Sequence, residues 1–300
     1  MESSQAAGMK PKTVLITGCS DGGLGSALAL EFANSPKYHV LATARNPAKM
    51  SHLYEKGNIT LLTLDVLSDA SIKSCLATVS ADFGSLDMLV NNAGTGLMFP
   101  LSDATDLDAC RRTFDLNVWA ALAVTQAFLP LLIKAKGVVV MNSSLTSVVP
   151  VPGMGIYNAS KAALAMLTDT LRLEVAPFGI RVVELKTGTV VSNFYENGGK
   201  AILPADSLYA PIKADMETLI NGTSKEDTSR RMDAGVWAKQ VVGQLVKSDP
   251  PTKVWKGGGA STIYWVTTLP LQGFMQATLA KLAGLTRLGE MLRTQEKIQT

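Results

Sequence analysis

The chain has 300 residues, 47% of them apolar and 18% charged, with a formal net charge of +3. That is enough for one large α/β domain, and the scattered Lys and Arg form no run dense enough to follow a phosphate backbone, which argues against a nucleic-acid partner. Three cysteines, Cys19, Cys75 and Cys110, form no CxxC pair and leave an odd thiol, so neither a disulfide framework nor a metal cluster is indicated and a reducing, cytoplasmic location is expected.

Residues 1–11 contain an acid and several polar residues, lack the apolar core of a secretory signal, and are expected to be a flexible tail. From Lys12, short apolar runs alternate with longer amphipathic ones: TVLIT (13–17), YHVLATA (38–44), ITLLTL (59–64), LDMLV (86–90), GVVVMN (137–142) and IRVVEL (180–185). Between them lie the helix-like LGSALALEFANS, SIKSCLATVSADF, the stretch from Asp106 to Lys134, and NASKAALAMLTDTLRLEVAPF. No internal repeat or low-complexity block interrupts them. This alternation predicts a single domain over 12–256: an α/β Rossmann-type, doubly wound parallel sheet of seven strands with helices on both faces, the last strand near Lys253 to Trp255. Residues 193–235 are poorer in strand signals and are expected to form a mobile substrate lid with short helices. In the C-terminal extension, 257–300, the part from Gly257 to Ala280 is uncharged and includes Ile263, Tyr264, Trp265, Val266, Leu269, Leu271, Phe274 and Met275. Pro270 and Gly273 break it into two short amphipathic pieces, expected to cover the substrate pocket, a subunit contact of a homo-oligomer or the protein's own core, or to rest on a membrane surface without crossing it.

Chemistry concentrates at three places. After the first strand, Thr17-Gly18-Cys19-Ser20-Asp21-Gly22-Gly23-Leu24-Gly25 opens a helix. Its glycines allow positive φ and close approach of backbone to a pyrophosphate, whose charge a helix N-terminus favours. At the end of the second strand, where an NAD enzyme of this architecture carries an acid for the ribose 2′-hydroxyl, the chain reads Ala42-Thr43-Ala44-Arg45, with no acid between Tyr38 and Tyr54. A guanidinium suits a 2′-phosphate, so NADPH is favoured over NADH. Tyr157 and Lys161 stand at i and i+4 on one helical face, and a neighbouring ammonium is expected to draw a phenol down from its ordinary pKa of about 10 towards the working pH.

Taken with Asn91-Asn92-Ala93-Gly94, these motifs resemble the short-chain dehydrogenase/reductase family, a likeness extending over roughly residues 12–256. In that likeness Gly18, Gly23 and Gly25 are the glycines of the phosphate turn, which is one residue longer here, altering the fit of Ser20 to Gly22. The resemblance implies that Asp65 and Val66 border the adenine, that Asn92, Ala93 and Gly94 brace the sheet and line the adenosine pocket, and that Val190 and Ser192 hold the nicotinamide carboxamide. It also implies the catalytic set Asn117, Ser144, Tyr157 and Lys161. Ser144, 13 residues before Tyr157, shares the substrate oxygen with it, Lys161 holds the nicotinamide ribose, and Asn117 anchors a water that reaches the lysine. Thr187 stands where the family has Pro, a replacement expected to loosen that turn.

The implied activity is NADPH-dependent reduction of a ketone, or oxidation of the matching secondary alcohol. Within the family the pattern is most similar to fungal reductases related to 1-acyl-dihydroxyacetone-phosphate reductase, and similar chains serve fungal secondary metabolism, so a lipid-like or secondary-metabolite carbonyl compound is the expected small-molecule partner. A serine hydrolase is disfavoured because the chain has only His39 and His52 and no GxSxG elbow. The rival reading is a non-enzymatic NADPH-binding protein on the same fold, against which Asn117, Ser144, Tyr157 and Lys161 count.

Overall fold

Seven short apolar runs hydrogen-bond into one parallel sheet: β1 (Lys12–Thr17), β2 (Tyr38–Ala44), β3 (Ile59–Thr63), β4 (Met88–Asn91), β5 (Val138–Asn142), β6 (Arg181–Thr187) and β7 (Lys253–Lys256). Their order is β3-β2-β1-β4-β5-β6-β7, and every neighbouring pair is parallel. The order reverses between β1 and β4, which opens a crevice at the strands' C-terminal ends. The computed structural model describes residues 10–197 and 199–268 and, beyond them, Thr278, Lys281, Arg287, Glu290, Met291 and Thr294.

The strands read as continuously apolar because both faces are covered. On one face Val14, Ile16, Val40 and Val140 pack under α1 (Leu24–Ala33) and α9 (Ala234–Leu245), with Phe32 and Trp237 fully buried. On the other, Leu15, Leu41, Leu89 and Val139 meet α2 (Asp69–Asp82), α4 (Ala120–Ala135) and α5 (Gly155–Val175), centred on Phe128. The helix expected from Asp106 to Lys134 spans α3 (Leu107–Phe114) and α4, joined by a π turn at Asp115–Trp119 in which Ala120 N–H donates to Asp115 O. This helix is long and apolar enough to cross a membrane, but half of its most apolar stretch is buried, with Val124, Phe128 and Leu132 packed on the sheet.

The segment after β6 folds into α6 (Phe194–Asn197), α7 (Lys213–Ile220) and α8 (Lys225–Arg230). Leu203, Ile212, Met216 and Ile220 form a third apolar cluster with Met98, Met154 and Tyr157, and Phe194 and Tyr195 pack against it, so α6 and α7 cover the C-terminal edge of the sheet at Tyr157. Beyond β7, Gly257 and Gly259 take positive φ and lead into α10 (Ala260–Thr268). The first expected piece of the extension is therefore helical, and Tyr264 stacks edge-on against Trp255 of β7 with ring centroids 5.6 Å apart. Leu269, Leu271, Phe274 and Met275, with the breakers Pro270 and Gly273, lie outside the described residues, as does the tail over 1–9. Arg287 pairs with Asp215 of α7 at 2.6 Å.

Candidate active site

The phosphate turn is shaped by steric necessity at two glycines. Gly18 has φ +75°, and a Cβ on Gly25 would lie 2.4 Å from Gly18 O, so neither position accepts a side chain without displacing backbone. Gly23 caps α1 with no side-chain hydrogen bond, and the first turn of α1 carries no acid, which leaves its N–H groups free for an anion. The additional residue of the turn is absorbed by clamps on both sides. Asp21 N–H donates to Lys49 O across 2.8 Å, its carboxylate contacts His52, and Asn193 Nδ2 donates to Asp21 O across 3.0 Å. Ser20 is half-buried, and its carbonyl accepts from Gly23 N–H at 3.1 Å.

Arg45 follows β2 directly, is exposed, and has no hydrogen bond or ion pair among the described residues. Asp65, after β3, accepts from Leu67 N–H at 3.1 Å while its own N–H donates to Ser71 Oγ, and Val66 beside it is buried. Asn92 ties the end of β4 to the phosphate turn: its Nδ2 donates to Thr17 O at 2.9 Å and Gly18 O at 3.2 Å. Asn92 N–H and Ala93 N–H both donate to Thr17 Oγ1. A Cβ on Gly94 would lie 3.0 Å from Asn117 Oδ1 and 3.6 Å from Lys161 Nζ. The glycines at 18, 25 and 94 thus let the phosphate turn, the loop after β4 and the Asn117–Lys161 pair pack closely together at the crevice, and the acid-free N-terminus of α1 beside them fits the pyrophosphate of a dinucleotide.

Asn117, Ser144, Tyr157 and Lys161 are all buried and meet at the ends of β4 and β5. Asn117 lies inside the π turn, where its Oδ1 accepts from Thr95 N–H at 2.8 Å and its Nδ2 donates to Thr95 O and Ser160 Oγ. Ser144 lies two residues beyond β5, and its Oγ accepts from Thr146 N–H. Lys161 Nζ donates to Asn142 O across 2.8 Å and stands 5.8 Å from the centre of the Tyr157 ring.

The electrostatics differ from the sequence expectation. Burial pushes the Tyr157 phenol up to about 12; a hydrogen bond with Ser144 works in the opposite direction, and Tyr195 adds to the rise. Burial also lowers Lys161 to about 8. The phenol is therefore raised rather than drawn towards neutrality, because its desolvation outweighs the opposing effect of Ser144.

Thr187 corrects a second expectation, because the turn it begins is stitched rather than loosened. Gly188 N–H donates to Lys256 O, Thr189 exchanges both backbone bonds with Gly258, and Val191 N–H donates to Met232 O. Val190 bridges Met232, and Ser192 Oγ lies 3.5 Å from Val190 O. Residues that sequence reasoning did not single out complete the site: Phe194, whose ring centre is 5.2 Å from that of Tyr157, Tyr195, and Asn142, which bonds Asn92 and Thr187. The aromatic pair Phe194-Tyr195 just after the β6 turn was the available signal for the first two.

Residues 12–201 match the short chain dehydrogenase family model. The chain is 43% identical over 285 residues to a short-chain dehydrogenase/reductase of Pestalotiopsis microspora, covering 94% of this chain and 97% of that one. It is 36% identical over 274 residues to the NADPH-dependent 1-acyldihydroxyacetone phosphate reductase of Schizosaccharomyces pombe, covering 88% and 91%. Among solved structures, a short-chain dehydrogenase of Streptomyces avermitilis superposes with a TM-score of 0.75 at 27% identity, over 94% of this chain and 98% of that one.

Proposed function

The chain belongs to the short chain dehydrogenase family and is thereby an oxidoreductase, and from that premise we propose that it reduces an apolar ketone with NADPH. The observation that carries this reading is the buried Tyr157 phenol beside Ser144, one helical turn from Lys161 and at the same end of the sheet as the glycine turn. A phenol held up at about 12 is protonated throughout the neutral range, which is the form that donates a proton to a carbonyl oxygen.

In this reading NADPH supplies the hydride. Tyr157 gives its proton to the substrate oxygen, and the Ser144 hydroxyl hydrogen-bonds the same oxygen as charge develops on it. Lys161 binds the nicotinamide ribose hydroxyls, and Asn117, through Thr95 and Ser160, holds the loop after β4 against the start of α5. Arg45 pairs the 2′-phosphate at the adenosine end, with Asp65 and Val66 bordering the adenine and Val190 and Ser192 the carboxamide. The apolar cluster of Met98, Met154, Leu203 and Ile212 around Tyr157, with Phe194 against it, favours a lipid-like or polyketide-like ketone over a polar one.

The test is loss of NADPH absorbance with cyclohexanone, ethyl acetoacetate and a long-chain methyl ketone. Turnover highest on the long-chain ketone is expected. NADPH binding with no turnover on any of the three, or turnover confined to NADH, would overturn the reading.

A further inference from the structure

Two charged residues of β6 take no part in the chemistry above, yet are more deeply buried than any other ion pair among the described residues. Glu184 and Lys186 lie on the same face of the strand with side chains 0% and 3% exposed, and Lys186 Nζ is 2.7 Å from Glu184 Oε1. Neither oxygen of Glu184 accepts a well-aligned hydrogen bond, and the nearest further charge is Lys253, 4.0 Å from Oε2. A buried pair with unmet acceptors is poor at stabilising a fold, since desolvation consumes what the attraction returns. Stability alone therefore does not account for it.

What the pair accomplishes is visible one bond further. Lys186 Nζ donates to Ser147 Oγ across 2.7 Å, and Ser147 Oγ donates to Ser144 O across 2.6 Å. An ammonium donates only, so the Ser147 oxygen must accept from it, and the hydroxyl proton is left pointing at the Ser144 carbonyl. Ser144 N-caps the single 3₁₀ turn Leu145–Ser147, and Ser144 Oγ faces Tyr157. The short turn after β5 is thus anchored from below by a charge on the neighbouring strand.

We propose that Lys186, neutralised by Glu184, is a positioning residue: through Ser147 it fixes the turn that aims the Ser144 hydroxyl at Tyr157 and the substrate oxygen. This inference rests on the reading of Ser144 as a donor to that oxygen. Small errors in aim are costly to such a donor: a misplacement of about 1 Å lowers rates by as much as about 100-fold.

The experiment is a double-mutant cycle read by kcat and KM with NADPH and the long-chain methyl ketone, alongside NADPH titration. Ser147→Ala is expected to lower kcat about 10-fold with NADPH affinity unchanged, Ser147→Thr to restore it, and Ser147→Ala to add nothing in a Ser144→Ala background. Replacing both charges, Glu184→Leu with Lys186→Met, is expected to reproduce the kcat loss without leaving a lone buried charge. If that pair variant does not fold, the Ser147 cycle decides alone. Wild-type kcat in Ser147→Ala, or the same fold loss in the presence and absence of the Ser144 hydroxyl, would overturn the positioning role while leaving Ser144 in place. Wild-type kcat in Ser144→Ala would overturn the reading of Ser144 and this inference with it.

Discussion

Thr187 Oγ1 donates to Asn142 Oδ1 across 2.6 Å, joining the last residues of β6 and β5. Asn142 Nδ2 donates in turn to Asn92 Oδ1 at 2.8 Å, and Asn92 reaches Thr17 O and Gly18 O. One chain of side-chain hydrogen bonds therefore runs along the C-terminal edge of the sheet, from the turn after β6 to the phosphate turn after β1. Thr187→Val is expected to strand the buried Asn142 acceptor and to cost about 1–3 kcal/mol of stability, with Thr187→Ser close to wild type. Urea unfolding measures the difference, and equal midpoints for Val and Ser would remove the relay from the account. NADPH affinity should weaken several-fold in the Val variant, because Asn92 holds Gly18.

Tyr157→Phe is expected to lower turnover by about 10²–10⁴-fold while leaving NADPH binding nearly intact, since only the proton donor goes. Lys161→Ala should damage both, its ammonium lying 5.8 Å from the centre of the Tyr157 ring. The check is kcat beside a fluorescence titration with NADPH, and a Tyr157→Phe protein that still turns over would show that another group gives the proton.

The parts of the site that were legible in the sequence are those whose residues are close along the chain. Tyr157 and Lys161 are one helical turn apart, and the glycines of the phosphate turn lie within eight residues of one another. The strands could be read for a similar reason: two covered faces leave runs with no polar alternation. The contacts that escaped are cross-strand. Nothing near Thr187 in sequence names Asn142, 45 residues away, as its partner. Nothing near Lys186 in sequence shows that Trp255 of β7 and Ser147 enclose it. The π turn at Asp115–Trp119 was hidden because its residues continue a helical pattern and differ only in which carbonyl accepts. The raised pKa of the phenol is not legible either, because a neighbouring charge is visible in a sequence whereas the depth of burial is not.

Arg45 is exposed directly after β2 and has no ion pair among the described residues, so its guanidinium is available to a 2′-phosphate. Arg45→Asp is expected to reverse the preference from NADPH to NADH. Dissociation constants for both cofactors, measured at two salt concentrations, decide it: the wild-type preference for NADPH should shrink as salt rises, and an unchanged NADPH constant in the variant would refute the assignment.

The pH dependence follows from the two buried groups. Tyr157, at about 12, keeps its proton well above neutrality, while Lys161 loses its charge as pH rises through about 8. Reduction should therefore hold level at neutral pH and decline above about 8. Lys161→Arg, which stays charged, should shift that decline upward if the variant binds NADPH. The sign for stability is opposite. Between about 8 and the ordinary 10.5 the unfolded chain binds a proton that folded Lys161 has released, so this group adds stability as pH climbs through that window. Denaturant midpoints across the window, compared with Lys161→Met, isolate the contribution.

Truncation before Ser261 tests the role of the C-terminal extension. Its first helix, α10, is anchored at Ala260, which is 2% exposed, and lays Tyr264 against Trp255 on the edge strand of the sheet. Farther along the chain, the Arg287 guanidinium reaches Asp215 on α7, one of the helices whose apolar side chains cluster with Tyr157. The extension thus touches both the sheet edge and the helices over the site. An exposed ion pair of that kind is worth only about 0–1 kcal/mol, so the truncated chain should still fold. Trp255 would then be uncovered, and binding of a hydrophobic dye should increase. Turnover of the long-chain methyl ketone should fall by a larger factor than that of cyclohexanone, because a small ketone asks less of the apolar surface over Tyr157. Flotation of full-length and truncated protein with phosphatidylcholine vesicles separates a membrane-resting extension from one folded on its own protein, since only the former loses flotation with the truncation. A truncated protein with unchanged dye binding and the same ratio of turnover on the two ketones would show that the extension covers neither Trp255 nor the site.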